Sequence, residues 1–147
     1  MTTTPALADV PVRSALGLTR RWVALLQPLT FDARSLWLAW FDAEGRQSPV
    51  LMPVDHLPVT PEASMFDGLR VLNETVVQAQ LGRDGHLAMA LCRPGEAVVS
   101  DSDDEWVDAL SEVFDGLVAQ TWSLHLAAGG RVEPLVEAPD SAWGSSR

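Results

Sequence analysis

Residues 91–106 read "LCRPGEAVVSDSDDEW". An apolar strand runs into this stretch and a helix leaves it. Between them stand an Arg93-Pro94-Gly95 turn and the polar run Ser100, Asp101, Ser102, Asp103 and Asp104. Loops carried on the ends of rigid elements are where proteins place metals and catalytic groups. The reading of the chain therefore turns on whether this loop holds chemistry or only the shape of a loop that did.

Working outward, "HLAMALC" (86–92) is an apolar run of small residues and reads as a central strand. After the loop, Trp106, Leu110, Val113 and Leu117 recur at the spacing of one buried helical face, with Phe114 beside them. "TWSLHLA" (121–127) alternates, which predicts a half-exposed strand with Trp122, Leu124 and Leu126 inward and Ser123 and His125 outward. "AGGR" is a hairpin turn, and "RVEPLV" returns as an edge strand containing Pro134.

In the first half, "VRSALGLTRRWVALLQ" (12–27) predicts a helix with Val12, Leu16, Val23 and Leu26 near one face, stopped by Pro28. "SLWLAWFD" (35–42) is apolar on both faces, so it belongs at the centre of a covered sheet. "AEGR" turns the chain, with glycine where positive φ is needed, and "QSPVLMPV" returns as an edge strand limited by Pro49 and Pro53. Residues 60–80 predict a helix with Thr60 as N-cap, Pro61 at the first position and a stripe of Met65, Leu69, Leu72, Val76 and Ala79. The order predicts one mixed sheet with helices on its faces, an α/β sandwich spanning 12–136. A loose segment precedes it (1–11) and a disordered tail follows (137–147), in which Trp143 has no place.

The chain has 147 residues, enough for a single domain with its own core. Its net charge of −10 argues against nucleic acid and anionic membrane as partners, which call for a basic footprint. No apolar run approaches the roughly 20 residues that span a bilayer, and no signal-peptide pattern opens the chain, so a cytoplasmic location is the expectation. Cys92 is the single cysteine, which leaves no internal disulfide. Lys, Ile and Tyr are absent, a bias of the kind a GC-rich bacterial genome imposes.

The element order and the opening loop together resemble the JAB/MPN metalloprotease-like domain, in particular its RadC branch, over roughly residues 35–136. In that family a strand pair with a turn like "WFDAEGR" is followed by a helix. A buried strand then ends in a His-x-His-Pro-Ser-Gly loop, and a Ser-x-x-Asp motif starts the next helix. The resemblance implies a JAB/MPN-like, cytidine-deaminase-like sandwich and a zinc ion held by the two histidines and the aspartate. Here the histidine positions fall on Leu91 and Arg93; Pro94 and Gly95 match the turn with one residue missing; Ser100 and Asp103 match Ser-x-x-Asp. Leucine offers no lone pair and arginine is a permanent cation. The resemblance therefore implies a metal-free member.

The other candidates have bland readings beside the sharp ones. The acids Asp101, Asp103, Asp104, Glu105 and Asp108 suit a hard cation, but they equally suit the positive end of a helix, and the glycine and bidentate glutamate of a calcium loop are missing. His56, His86 and His125 lie on different elements without paired spacing. Cys92 is either a thiolate favoured by Arg93 or a small core residue. Ser100 lacks the glycine-flanked elbow of a serine hydrolase.

The expectation is thus a non-catalytic, cofactor-free domain that binds a protein partner or a second copy of itself. In that reading Ser100, Asp103 and Cys92 are only weak catalytic candidates, and Asp103→Ala costs about 1 kcal/mol of helix capping. The alternatives are a metal-dependent hydrolase or isopeptidase with an altered site around Asp103, drawing on His86 or Cys92, and an unrelated α/β binding module with a pocket at Trp37 and Trp40.

Overall fold

The computed structural model describes residues 10–81, 85–117 and 120–143. Five strands form one mixed sheet: β1 (Ser35–Phe41), β2 (Gln47–Asp55), β3 (Gly85–Cys92), β4 (Gln120–Ala128) and β5 (Arg131–Val136), in the order β2-β1-β3-β4-β5. Only β3 and β4 run parallel; every other neighbouring pair is antiparallel. The parallel pair needs a crossover, and α3 (Asp101–Phe114) supplies it. The proline-bearing strands β2 and β5 are the two edges, where a missing amide costs no ladder bond.

Both faces of the sheet are covered. Helix α1 (Ala15–Leu25) packs Leu18 and Trp22 over Ala39, Phe41, Ala88 and Ala90. Helices α2 (Ala63–Val76) and α3 pack Phe66, Leu69, Trp106 and Leu110 over Leu38, Trp40, Met89 and Leu124 on the other side. The result is a helix–sheet–helix sandwich, as the alternation of elements implies. β1 is apolar from Leu36 to Phe41 because one of its sides meets each helical layer, with Trp40 and Phe41 wholly buried on opposite faces.

The turn between β1 and β2 depends on Gly45, whose φ is +83°. A Cβ there would stand 1.9 Å from the Val12 carbonyl oxygen, so any other residue would push away the segment that leads into α1.

Several local expectations need correction. The predicted cap Thr60 lies outside α2, which begins at Ala63 after Glu62, and Pro61 precedes the helix. Its buried face is Phe66, Leu69, Asn73 and Val76, rotated from the predicted stripe at two positions. Asn73, the only asparagine of the chain, accepts from Trp40 Nε1 (2.9 Å) and exchanges two bonds with Gln120. This polar clasp gives the Trp40 N–H its acceptor and accompanies the turning of Asn73, rather than Leu72, toward the sheet. β4 is not half-exposed: Ser123 and His125 lie beneath α1, at 0 % and 1 % exposure. The tail is ordered through Trp143, which ends a short 3-10 turn (Asp140–Trp143) and packs edge-on against Phe41 and beside His86. The Trp143 indole covers that end of the sheet with apolar surface, while its Nε1 is buried without a partner among the described residues. Residues 1–9 of the loose segment and 144–147 of the tail lie outside the described residues.

Candidate functional site

The loop after β3 is organised by one ion pair. Arg93 continues the strand on the α2/α3 side of the sheet. Its Nε donates to Asp103 Oδ1 (2.9 Å) and its Nη2 to Asp103 Oδ2 (2.7 Å), a bidentate fork. The remaining donors are spent on the loop itself: Nη1 bonds the carbonyls of Pro94 and Glu96, and Nη2 also bonds that of Val98. The loop is thus wrapped around a guanidinium that donates to three of its carbonyls.

Asp103 is fully buried in the first turn of α3. Ser100 is the N-cap: its hydroxyl accepts from the Asp103 amide (3.2 Å), and the Asp103 carboxylate accepts from the Ser100 amide (2.9 Å). This reciprocal pair is a capping box. Burial by itself would raise the Asp103 pKa. The bonds from Arg93 and Ser100, with the charge of Arg93, outweigh it and hold the carboxyl below its ordinary value. The same bond raises the pKa of Arg93.

The implied zinc does not fit these residues. Leu91 has no donor atom and is buried in the core, and both carboxylate oxygens of Asp103 are held by a cation. Among the described residues, no group of three or more His, Cys, Asp or Glu side chains is placed to hold a metal ion. The acids Asp101, Asp104, Glu105 and Asp108 are exposed along α3, Asp101 and Asp104 with Asp103 in its first turn. The first-turn acids lie where the positive end of the helix dipole favours them, and Glu105 and Asp108 lie on the solvent side beyond it.

The remaining candidates are scattered. Cys92 lies on the α1 side of the sheet, away from the charged end of Arg93. It is fully buried, and burial pushes its thiol up to about 12 despite a bond from Ser35, so a thiolate activated by Arg93 is not formed there. Ser100 is committed to its cap. Trp37 and Trp40 face opposite sides of the sheet and share no pocket. His56 is exposed at a positive φ of 59° in the connection after β2.

Sequence reasoning missed a polar layer under α1. His86 sits between Thr121 Oγ1 on Nδ1 and Ser123 Oγ on Nε2, both at 2.8 Å. His125 Nε2 lies 2.9 Å from Thr19 Oγ1, whose hydroxyl can donate to the Ala15 carbonyl. His125 Nδ1 is buried without a partner among the described residues. Burial lowers the pKa of His86 to about 3, with help from His125, and that of His125 to about 4. The signal was present in the sequence as His86, Thr121, Ser123 and His125, but alternation made β4 read as one-sided. A cavity of about 290 Å³ opens beside His125, between α1 and β5, and includes Thr19, Glu133 and Glu137 in its walls.

No helix among the described residues is long and apolar enough to cross a membrane. Comparison with protein-family models, with curated proteins and with solved structures finds no match.

Proposed function

We propose that this chain is a JAB/RadC-like domain that has exchanged its metal for an ion pair. It acts without catalysis, by binding a protein partner or a second copy of itself. The observation that carries this reading is the meeting of Arg93 and Asp103. The resemblance assigns these positions to two ligands of one metal, and their side chains do converge, within 2.7 Å of each other. The convergence is kept while the donor chemistry is replaced by a buried cation. The hairpin β1–β2, the helix α2, the buried strand β3 and the capped α3 follow in the order that the resemblance calls for.

Association is supported by the surface beside this loop. Val59, Val98 and Val99 are 57 %, 71 % and 51 % exposed. Ser102 and Trp106 of α3 both donate to the Val59 carbonyl, which holds that segment against the start of the helix. Exposed apolar side chains gathered at one place mark contact surfaces more often than single ones do.

The test is a zinc titration of the metal-stripped protein by calorimetry, with Asp103→Asn beside it. No heat of binding is expected from either. Tight one-to-one binding that the substitution abolishes would overturn the proposal in favour of a hydrolase with an altered site around Asp103. Sedimentation of the same samples checks self-association. Val98→Asp is expected to weaken any dimer; a dimer indifferent to it would remove this surface from the reading.

A further inference from the structure

Positive charge is scarce in this chain, with ten arginines and no lysine against twenty acids. Three of the ten, Arg13, Arg20 and Arg21, line one cavity of about 260 Å³ at the start of α1. No Asp or Glu occurs between residues 10 and 31. Positions 13, 17, 20 and 21 share one side of the helix and the turn that enters it. At the centre of that stripe stands Gly17, itself part of the cavity wall. A glycine inside a helix costs about 1 kcal/mol against alanine. Here a Cβ would stand 3.2 Å from the Ser14 hydroxyl that caps the helix, and the glycine leaves that part of the cavity wall bare.

Arg21 is the deepest member, only 4 % exposed. Its Nη1 donates to Gln47 Oε1 (2.7 Å), its Nη2 to the Val10 carbonyl, and its guanidinium lies 5.8 Å from the centre of the Phe41 ring. Every one of these partners is neutral. Among the described residues no carboxylate forms an ion pair with it. The β1–β2 turn, joined to this segment by the Val12 amide and the Gly45 carbonyl, carries Asp42, but the Asp42 Oδ1 is occupied by the amides of Glu44 and Arg46. Arg93, the other buried arginine among the described residues, has its carboxylate. A buried cation without an opposite charge is costly, so the arrangement lacks an anion.

We propose that this cavity binds the phosphate group of a small phosphate monoester. Guanidinium forks match phosphate oxygens, and three of them more than neutralise a dianion. The volume lies just below the range usual for drug-sized ligands, which suits a phosphate bearing a few carbons. The net charge of −10 repels anions at long range, so binding rests on the local cluster and weakens with salt. The site lies on the α1 side of the sheet and is independent of the Arg93 loop.

The test is thermal unfolding and calorimetry of the full chain with inorganic phosphate and with glycerol phosphate, against potassium chloride at equal ionic strength. Saturable stabilisation by phosphate beyond that of chloride is expected. Arg13→Gln and Arg20→Gln should each weaken it about 10-fold, the share of one charged hydrogen bond. Arg70→Gln on α2 should leave it unchanged. Tighter binding of glycerol phosphate supports an ester as the ligand, and equal affinities support free phosphate at the same site. A response no larger than that of chloride, or one indifferent to Arg13 and Arg20, overturns the proposal. So does phosphate binding that emerges only in Asp9→Asn, which would give the role of the anion to the chain's own carboxylate.

Discussion

Lowering the pH from 7 to 5 is expected to remove about 4 kcal/mol of stability. His86 and His125 are buried neutral, with pKa values of about 3 and about 4 against an ordinary 6.5. Between those values the unfolded chain binds protons that the folded chain refuses. Stability is therefore complete above pH 6.5 and drains away as the pH falls toward the folded values. Near pH 5 each histidine accounts for about 2 kcal/mol, at 1.36 kcal/mol per pH unit. Burial explains the refusal, because desolvation penalises the imidazolium at both positions, and the hydrogen bonds are consistent with it. Ser123 can donate to His86 Nε2 only while that nitrogen is unprotonated, and a proton on His125 Nδ1 would find no acceptor. A domain of this size holds roughly 5–15 kcal/mol in all, so much of its margin is at stake. Urea unfolding at pH 7, 6 and 5 measures the loss, and His125→Asn should flatten the slope by about half. A midpoint constant over this range would show that neither imidazole is kept neutral by the fold.

The second large effect concerns Asp103→Ala, expected to destabilise by about 3–5 kcal/mol rather than the ~1 kcal/mol of a lost helix cap. The capping box accounts for the smaller figure. The rest arises because Arg93, 6 % exposed, would keep its charge and lose its carboxylate. Replacing both partners at once, as Arg93→Met with Asp103→Leu, removes the unpaired charge and should cost less than Asp103→Ala alone, although the loop carbonyls then lose their donors. Chemical denaturation of the single and double variants gives the coupling. Asp103→Ala within about 1 kcal/mol of the wild type would show that the pair is solvated and that the cap is all that matters. Because the Asp103 carboxyl is held below its ordinary 3.8, its contribution is present above that value and fails only in stronger acid. The histidine loss at pH 5 therefore precedes it.

The fold was legible wherever one side chain pattern had one cause. Leu36 to Phe41 are apolar on both sides, and that places β1 centrally, between two helical layers. Pro49, Pro53 and Pro134 sit on edges because a central ladder cannot use them. The failures share a different cause: polar side chains that are buried because they satisfy one another. His125 and Ser123 read as surface residues, since alternation says nothing of the helix that later covers them. Asn73 read as one more polar residue, although its partners Trp40 and Gln120 are 33 and 47 positions away. At the loop, the spacing of Ser100 and Asp103 was readable. The turning of Arg93 back onto Asp103 was not, since a rule that arginine repels a metal does not say what arginine attracts instead.

If the proposed reading holds, the Arg93–Asp103 pair also works as an evolutionary ratchet. On the proposed reading, a path back to a metal site needs histidine at both 91 and 93. Changing Arg93 first strands a carboxylate in the interior and unties three loop carbonyls. Changing Leu91 first buries an imidazole in the apolar core while the cation still occupies Asp103. Either intermediate loses stability before any metal can repay it. On that reading, single substitutions at 91 or 93 lead downhill in stability from this sequence.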